Sequence, residues 1–142
     1  MSAPIKASML LLDTGPLLAL VNRRDRNHTW IRGILACYKG RVVTCEAVIS
    51  EAWFLAQSRL SPPSSLLALL ERLPLEIISA WSSRTLDLVR RYADLPMDVA
   101  DSCLVALAEG APESIVVTTD KRDFSLYRMH GKEPVPVLFP DM

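Results

Sequence analysis

Long apolar runs are missing from this sequence. No stretch approaches the roughly 20 consecutive apolar residues that a membrane helix requires. A single lysine precedes the first short apolar segment, which Asp13 interrupts, so no export or anchoring signal is read there. Aromatic residues are scarce, at 6%. A core must then be filled by Leu, Val, Ile and Ala, which suits a buried parallel sheet flanked by helices better than a β-sandwich. Cysteine is limited to Cys37, Cys45 and Cys103. An odd number without close spacing excludes a disulfide framework and a zinc knuckle, and it points to a reducing cytoplasm. Net charge is also absent, with 16 Lys and Arg against 16 Asp and Glu. That balance speaks against a basic, nucleic-acid-binding surface only if the acids are evenly spread. If four of them are gathered at a metal, 12 acids face 16 cations and the outer surface is basic.

What is present is hydrophobic content of 50% over 142 residues, enough for one compact domain spanning 1–142. No repeat, low-complexity tract or linker divides it. Met9 to Leu12 reads as a strand that ends in Asp13-Thr14-Gly15-Pro16, and a helix follows over Leu17 to Val21, with Pro16 suited to its first turn. The spacing predicts further helices over 28–38, 47–59, 66–73, 83–92 and 99–109. Ser61-Pro62-Pro63-Ser64 stops one helix and caps the next, Ser82 or Ser83 caps the fourth of these, and Asp98 the last. Strands are predicted over 41–45, 75–79, 115–118 and 135–139. Pro136 cannot donate a ladder hydrogen bond, which places the last strand at a sheet edge. Strands alternating with helices predict a three-layer α/β/α sandwich around a parallel sheet of about five strands. Ligands of such sheets lie beyond the carboxyl ends of the strands.

Acidic residues stand at those ends. Asp13 follows the first strand and Asp120 the fourth, although either fits an ordinary turn. Glu51 has Ala47, Val48, Phe54 and Leu55 as its helical neighbours and so interrupts an apolar stripe. A carboxylate in that setting needs a cation or donors to offset its desolvation. Asp98 is explained by capping alone, whereas Asp101 shares a helix face with Leu104, Val105 and Ala108 and points inward. Four acids from distant segments sharing one sheet edge suit a hard divalent cation such as Mg²⁺ or Mn²⁺. Such an ion serves phosphodiester hydrolysis. Arg23, Arg24 and Arg26 cluster in one predicted loop, with Lys121 and Arg122 in another; they read either as a phosphate clamp or as solvated charge. His28 and His130 have no partners that suggest a triad.

The segments LLLDTGPLLALV, VISEAWFLA, LPMDVADSCLVALAE and VVTTDKRDF, in this order and over nearly the whole chain, resemble the PIN domain. Within that family they are similar to the small VapC-type toxin ribonucleases of bacterial and archaeal toxin–antitoxin systems. The resemblance implies an endoribonuclease dependent on Mg²⁺ or Mn²⁺, with Asp13, Glu51, Asp101 and Asp120 as metal-binding acids. It adds Asp98 and Asp123 as supporting acids, since some members rely on the later Asp before Phe, and Thr14 and Thr118 as hydroxyl donors behind them. It also implies an RNA substrate, an antitoxin partner, a homodimer and a cytoplasmic setting. The alternative is a catalytically idle PIN module that binds RNA or protein. Asp13-Thr14-Gly15 is also the tripeptide of aspartic proteases, but Pro16 and an apolar helix follow it here. A haloacid-dehalogenase-like phosphatase requires an acid where Gly15 stands, and a phosphotransfer receiver fits no better.

Overall fold

The computed structural model describes residues 4–140. Its central strand, β1 (Met9–Leu12), is a run of apolar residues with Leu10, Leu11 and Leu12 fully buried, as expected of a strand covered on both faces. β2 (Arg41–Cys45) pairs with one side of it in register Leu10↔Val42, and β3 (Leu75–Ile78) pairs beyond β2. On the other side lies β4 (Ser114–Val117), in register Leu12↔Val117. All pairings in this sheet are parallel, and the fifth strand, β7 (Val137–Leu138), gives the order β3-β2-β1-β4-β7. That outer strand sits at the edge as Pro136 requires: the proline carbonyl accepts from the Val116 amide and donates nothing.

The helices connect these strands. α1 (Thr14–Val21) and α2 (His28–Cys37) lead from β1 to β2, and α3 (Glu46–Arg59) and α4 (Ser65–Arg72) from β2 to β3. α5 (Ser83–Arg91) and α6 (Val99–Gly110) return to β4. Right-handed crossovers place α1 to α4 on one face and α5 and α6 on the other, and α1 packs on α2, α3 and α4 while α5 packs on α6. The layers are thus α/β/α, as the sequence predicts. The winding reverses between β1 and β4, so the crevice for a ligand opens beyond their carboxyl ends.

Most element boundaries agree with the sequence pattern, and the departures have local causes. α1 begins at Thr14 rather than Leu17, because the Asp13 carboxylate accepts from the Thr14 amide and caps the helix directly at the strand end. Ser82 forms a full capping box with Thr85, but Ser64 makes no side-chain capping bond, contrary to expectation. Lys121 and Arg122 lie in a short helix, α7 (Lys121–Leu126), not in a loop. A small hairpin, β5 (Arg128–Met129) with β6 (Glu133–Pro134), follows it, turning through His130 and Gly131 at positive φ. Among the described residues no helix is long and apolar enough to cross a membrane.

Candidate active site

The β1–β4 pairing continues one residue past the strands, where the Asp13 amide donates to the Val117 carbonyl at 3.0 Å. This sets Asp13 beside Thr118, whose hydroxyl donates to Asp13 Oδ2 at 2.6 Å and accepts from the Asp120 amide at 2.9 Å. One buried threonine therefore ties the ends of two strands and two acids together. α1 can start this close to the β4 end because residue 15 is glycine: a β-carbon there would collide with the Thr119 hydroxyl.

The opposite layer supplies the next acids. Asp98 caps α6, accepting from the Asp101 amide at 2.8 Å. One turn on, Asp101 is buried and accepts at 2.8 Å from the hydroxyl of Tyr127, a fully buried ring packed edge-on against Tyr92 and Phe124. α7 then delivers Asp120 and Asp123 as its cap and first turn, with the Asp123 amide donating to Asp120 Oδ1 at 3.1 Å. Asp101, Asp120 and Asp123 each offer a carboxylate oxygen within 4.8 Å of the others. Asp123 is thus as close to the cluster as Asp120. Glu51 approaches from α3, which packs on α6. It is half-buried, and the neighbours expected to enclose it are only partly in the core: the buried face of α3 is Val48, Ala52 and Ala56, whereas Phe54 is 73% exposed.

Electrostatically the centre is uncompensated. Burial, reinforced by the charges of Asp98 and Asp120, pushes the Asp13 carboxyl up to about 6, against the opposing Thr118 and Thr14 hydrogen bonds. Burial and the neighbouring Asp13 and Asp98 push Asp101 to about 8, despite the bond from Tyr127. Glu51 and Asp123 are also raised, in each case first by burial and then by a neighbouring aspartate. Among the described residues the only ion pairs are Arg41–Glu76 and Arg84–Glu109, so no lysine or arginine pairs with any of these acids. The Thr14 hydroxyl oxygen is buried beside them without a hydrogen-bond partner among the described residues. An all-oxygen donor set and mutual repulsion are what a hard divalent cation would satisfy.

Every acid singled out in the sequence lies in this region, but the arrangement has two lobes. Asp101, Asp120 and Asp123 form the tight cluster, while Asp13, Glu51 and Asp98 flank it and interact with it through their charges. Sequence reasoning missed Tyr127, which lies 26 residues from Asp101 and carries no local mark of its contact. His130 lies outside the site: its amide donates to Glu109.

The model of the PIN domain family matches residues 10–129. No curated protein sequence matches the chain significantly. Among solved structures, Mycobacterium tuberculosis VapC20, a toxin that cleaves the sarcin–ricin loop, superposes with a TM-score of 0.65 at 15% identity, over 75% of this chain and 86% of that one. VapBC2 from Rickettsia felis, bound to a DNA fragment from its promoter, gives 0.65 at 15% identity over 94% and 99%. FitAcB from Neisseria gonorrhoeae gives 0.54 at 20% identity over 79% and 88%. At these identities the likeness to solved structures is one of fold. The family match, in contrast, takes in every acid of the centre from Asp13 to Asp123, and the chain belongs to the PIN domain family.

Proposed function

We propose that this chain is a metal-dependent endoribonuclease, hydrolysing RNA phosphodiester bonds as the toxin of a toxin–antitoxin pair. The observation that carries the reading is the pair of buried carboxylates Asp13 and Asp101 at the β1–β4 crevice, repelled by each other and by neighbouring acids and held in no ion pair among the described residues. Leaving such charge unpaired costs several kcal/mol, which a fold retains where an ion is to be held. Asp101, Asp120 and Asp123 would hold Mg²⁺ or Mn²⁺ directly, with Asp13 and Glu51 completing the acidic ring. When bound, the cation supplies Lewis acidity toward water and the scissile phosphate.

The surrounding groups hold these oxygens in place. Thr118 fixes one oxygen of Asp13 and the Thr14 amide the other. Tyr127 orients Asp101, and Asp98, engaged with the Asp101 amide, sets the start of α6. Such supporting hydrogen bonds keep carboxylates aimed at the ion. The PIN fold and the toxin and antitoxin-complex structures it resembles support the toxin role. An antitoxin partner, a homodimer and a cytoplasmic setting belong to the same reading, and the exposed Leu67 on α4 and Leu86 on α5 are consistent with association of copies.

Incubation with a panel of RNAs and DNAs tests it. RNA cutting is expected with Mg²⁺ or Mn²⁺, none in EDTA, and none from Asp13→Asn or Asp101→Asn. Equal cutting in EDTA, or full activity in both variants, overturns the proposal. Binding of RNA or protein without any cutting would favour the idle module.

A further inference from the structure

Two clefts lie side by side away from the acidic centre, on the α1–α4 face. The first, about 430 Å³, sets Arg23, Arg32 and Arg72 around an apolar strip of Leu20, Val21 and Leu69; the second, about 480 Å³, shares Arg23 and Ser65 with it and adds Arg24 and Arg59. No aspartate or glutamate lines either. Five of the 12 arginines of a chain with zero net charge are thus gathered on one surface. Of the other seven, four are committed within the fold: Arg41 and Arg84 grip carboxylates, and Arg91 and Arg128 donate to backbone carbonyls, whereas Arg26, Arg90 and Arg122 are scattered singly outside the clefts. The five cleft arginines are exposed, and among the described residues none forms an ion pair. Like charges held together without acids are unfavourable in isolation and complementary to a polyanion.

The helices relate this surface to the acidic centre. α1 runs from its cap Asp13 to Val21, just before Arg23, and α3 carries Glu51 and ends at Arg59. The two pack together, and eight residues of helix in each case span about 12 Å. Both adjacent helices therefore lead from the acids to the arginines. Guanidinium groups suit bidentate contact with phosphate oxygens.

We infer that this arginine cleft is an exosite for the phosphate backbone of single-stranded RNA, which draws a substrate to a centre of its own charge sign and holds it a few nucleotides from the point of cutting. The inference rests on the nuclease reading for the identity of the polyanion. Arg23, Arg32 and Arg72 are positioning residues, remote from the reacting phosphate.

Fluorescence anisotropy of a labelled single-stranded RNA of mixed sequence, in EDTA, tests the cleft without cutting. The combined variant Arg23→Ala/Arg32→Ala/Arg72→Ala is expected to bind roughly tenfold or more weakly and to lose about two from the slope of log affinity against log salt. The corresponding triple lysine variant should retain most of the slope, and Arg90→Ala, on α5, should match the unaltered chain. With metal, the alanine variant should raise KM on long RNA and leave kcat, and it should cut an RNA too short to reach the cleft at the normal rate. RNA affinity and salt slope unchanged in the triple alanine variant overturn the inference. So does loss of polyglutamate binding with RNA binding intact, which would assign the cleft to an acidic protein. A chain that cuts nothing yet binds RNA through these arginines fails the nuclease reading and keeps this one; a chain that cuts RNA with the cleft irrelevant does the reverse.

Discussion

Helix α6 carries a carboxylate near each end, and the fold treats the two in opposite ways. Glu109 is gripped by Arg84 through two hydrogen bonds of 2.7 Å and accepts a third, of 2.6 Å, from the His130 amide. The Arg84 hydrogen bonds hold its carboxyl below the usual range, even against its partial burial. Asp101, two turns earlier, is buried among other acids and receives only the Tyr127 hydroxyl, so its carboxyl is pushed up. One acid fastens the β5–β6 hairpin to the body of the protein; the other meets no cation among the described residues. A buried carboxylate is therefore read by what faces it, and burial alone does not distinguish the two roles.

Exchanging the treatment of the two acids should give opposite phenotypes. The largest effect is expected from Asp101→Asn, with RNA cleavage lost by more than the roughly 100-fold that supporting residues of metal sites cost. The variant should remain folded, by circular dichroism, and at pH 8 in EDTA it should melt above the unaltered chain. Glu109→Gln should instead leave cleavage unchanged.

The same contrast appears in the pH dependence of the metal-free protein. Asp13 and Asp101 bind protons more tightly folded than unfolded, with carboxyls near 6 and 8 against an ordinary 3.8. Their folded-state advantage is complete below about pH 4 and is lost as pH rises through 6 and toward 8. Thermal denaturation in EDTA should therefore show Tm falling over that window, by on the order of 10 °C. Mn²⁺ should restore more at pH 8 than at pH 5. A Tm that rises across the window would contradict the uncompensated centre.

A smaller change is expected at the other end of α6. Arg84→Ala leaves Glu109 largely buried with one amide donor, and since Arg84 is itself substantially exposed the loss should be about 1–3 kcal/mol, measurable by urea denaturation. Cleavage by the folded fraction should be unaffected. The smallest effect is assigned to Tyr127→Phe, which keeps the ring packing but removes the bond to Asp101. A drop in activity of about tenfold, the low end for a supporting residue, should accompany a shift of the pH–rate profile to higher pH, because that bond opposes the upward shift of Asp101. No shift in the profile would reduce Tyr127 to a packing residue.

Which of these features could be read in advance follows from their range along the chain. Asp13 and Asp98 are local: each caps the helix that follows it, and the strand or turn before it is evident in the sequence. Asp101 was legible because Leu104, Val105 and Ala108 mark its helix face as inward. Glu51 was legible as an acid in an apolar helix, but α3 turns Phe54 to solvent, so the apolar surroundings of Glu51 are only partial. α7 has only six residues, too few for a helical period to show in the sequence. Its position brings Asp123 to the cluster alongside Asp120, which the family pattern left open between them. Tyr127 was invisible because its meaning depends on a partner in another layer. The arginines were visible as a run at 23–26, but Arg32, Arg59 and Arg72 join Arg23 and Arg24 only through the packing of α1 against α2, α3 and α4, and Arg26 does not line the clefts.

Calorimetric titration of the metal-free protein with Mn²⁺ at pH 7, in buffers of different ionisation enthalpy, addresses the central claim directly. Binding at the acidic centre should be saturable, should release protons from carboxyls that burial keeps partly protonated, and should be abolished by Asp101→Asn but not by Glu109→Gln. Absence of Mn²⁺ binding, or equal binding by the Asp101→Asn variant, would contradict a centre built to hold a cation.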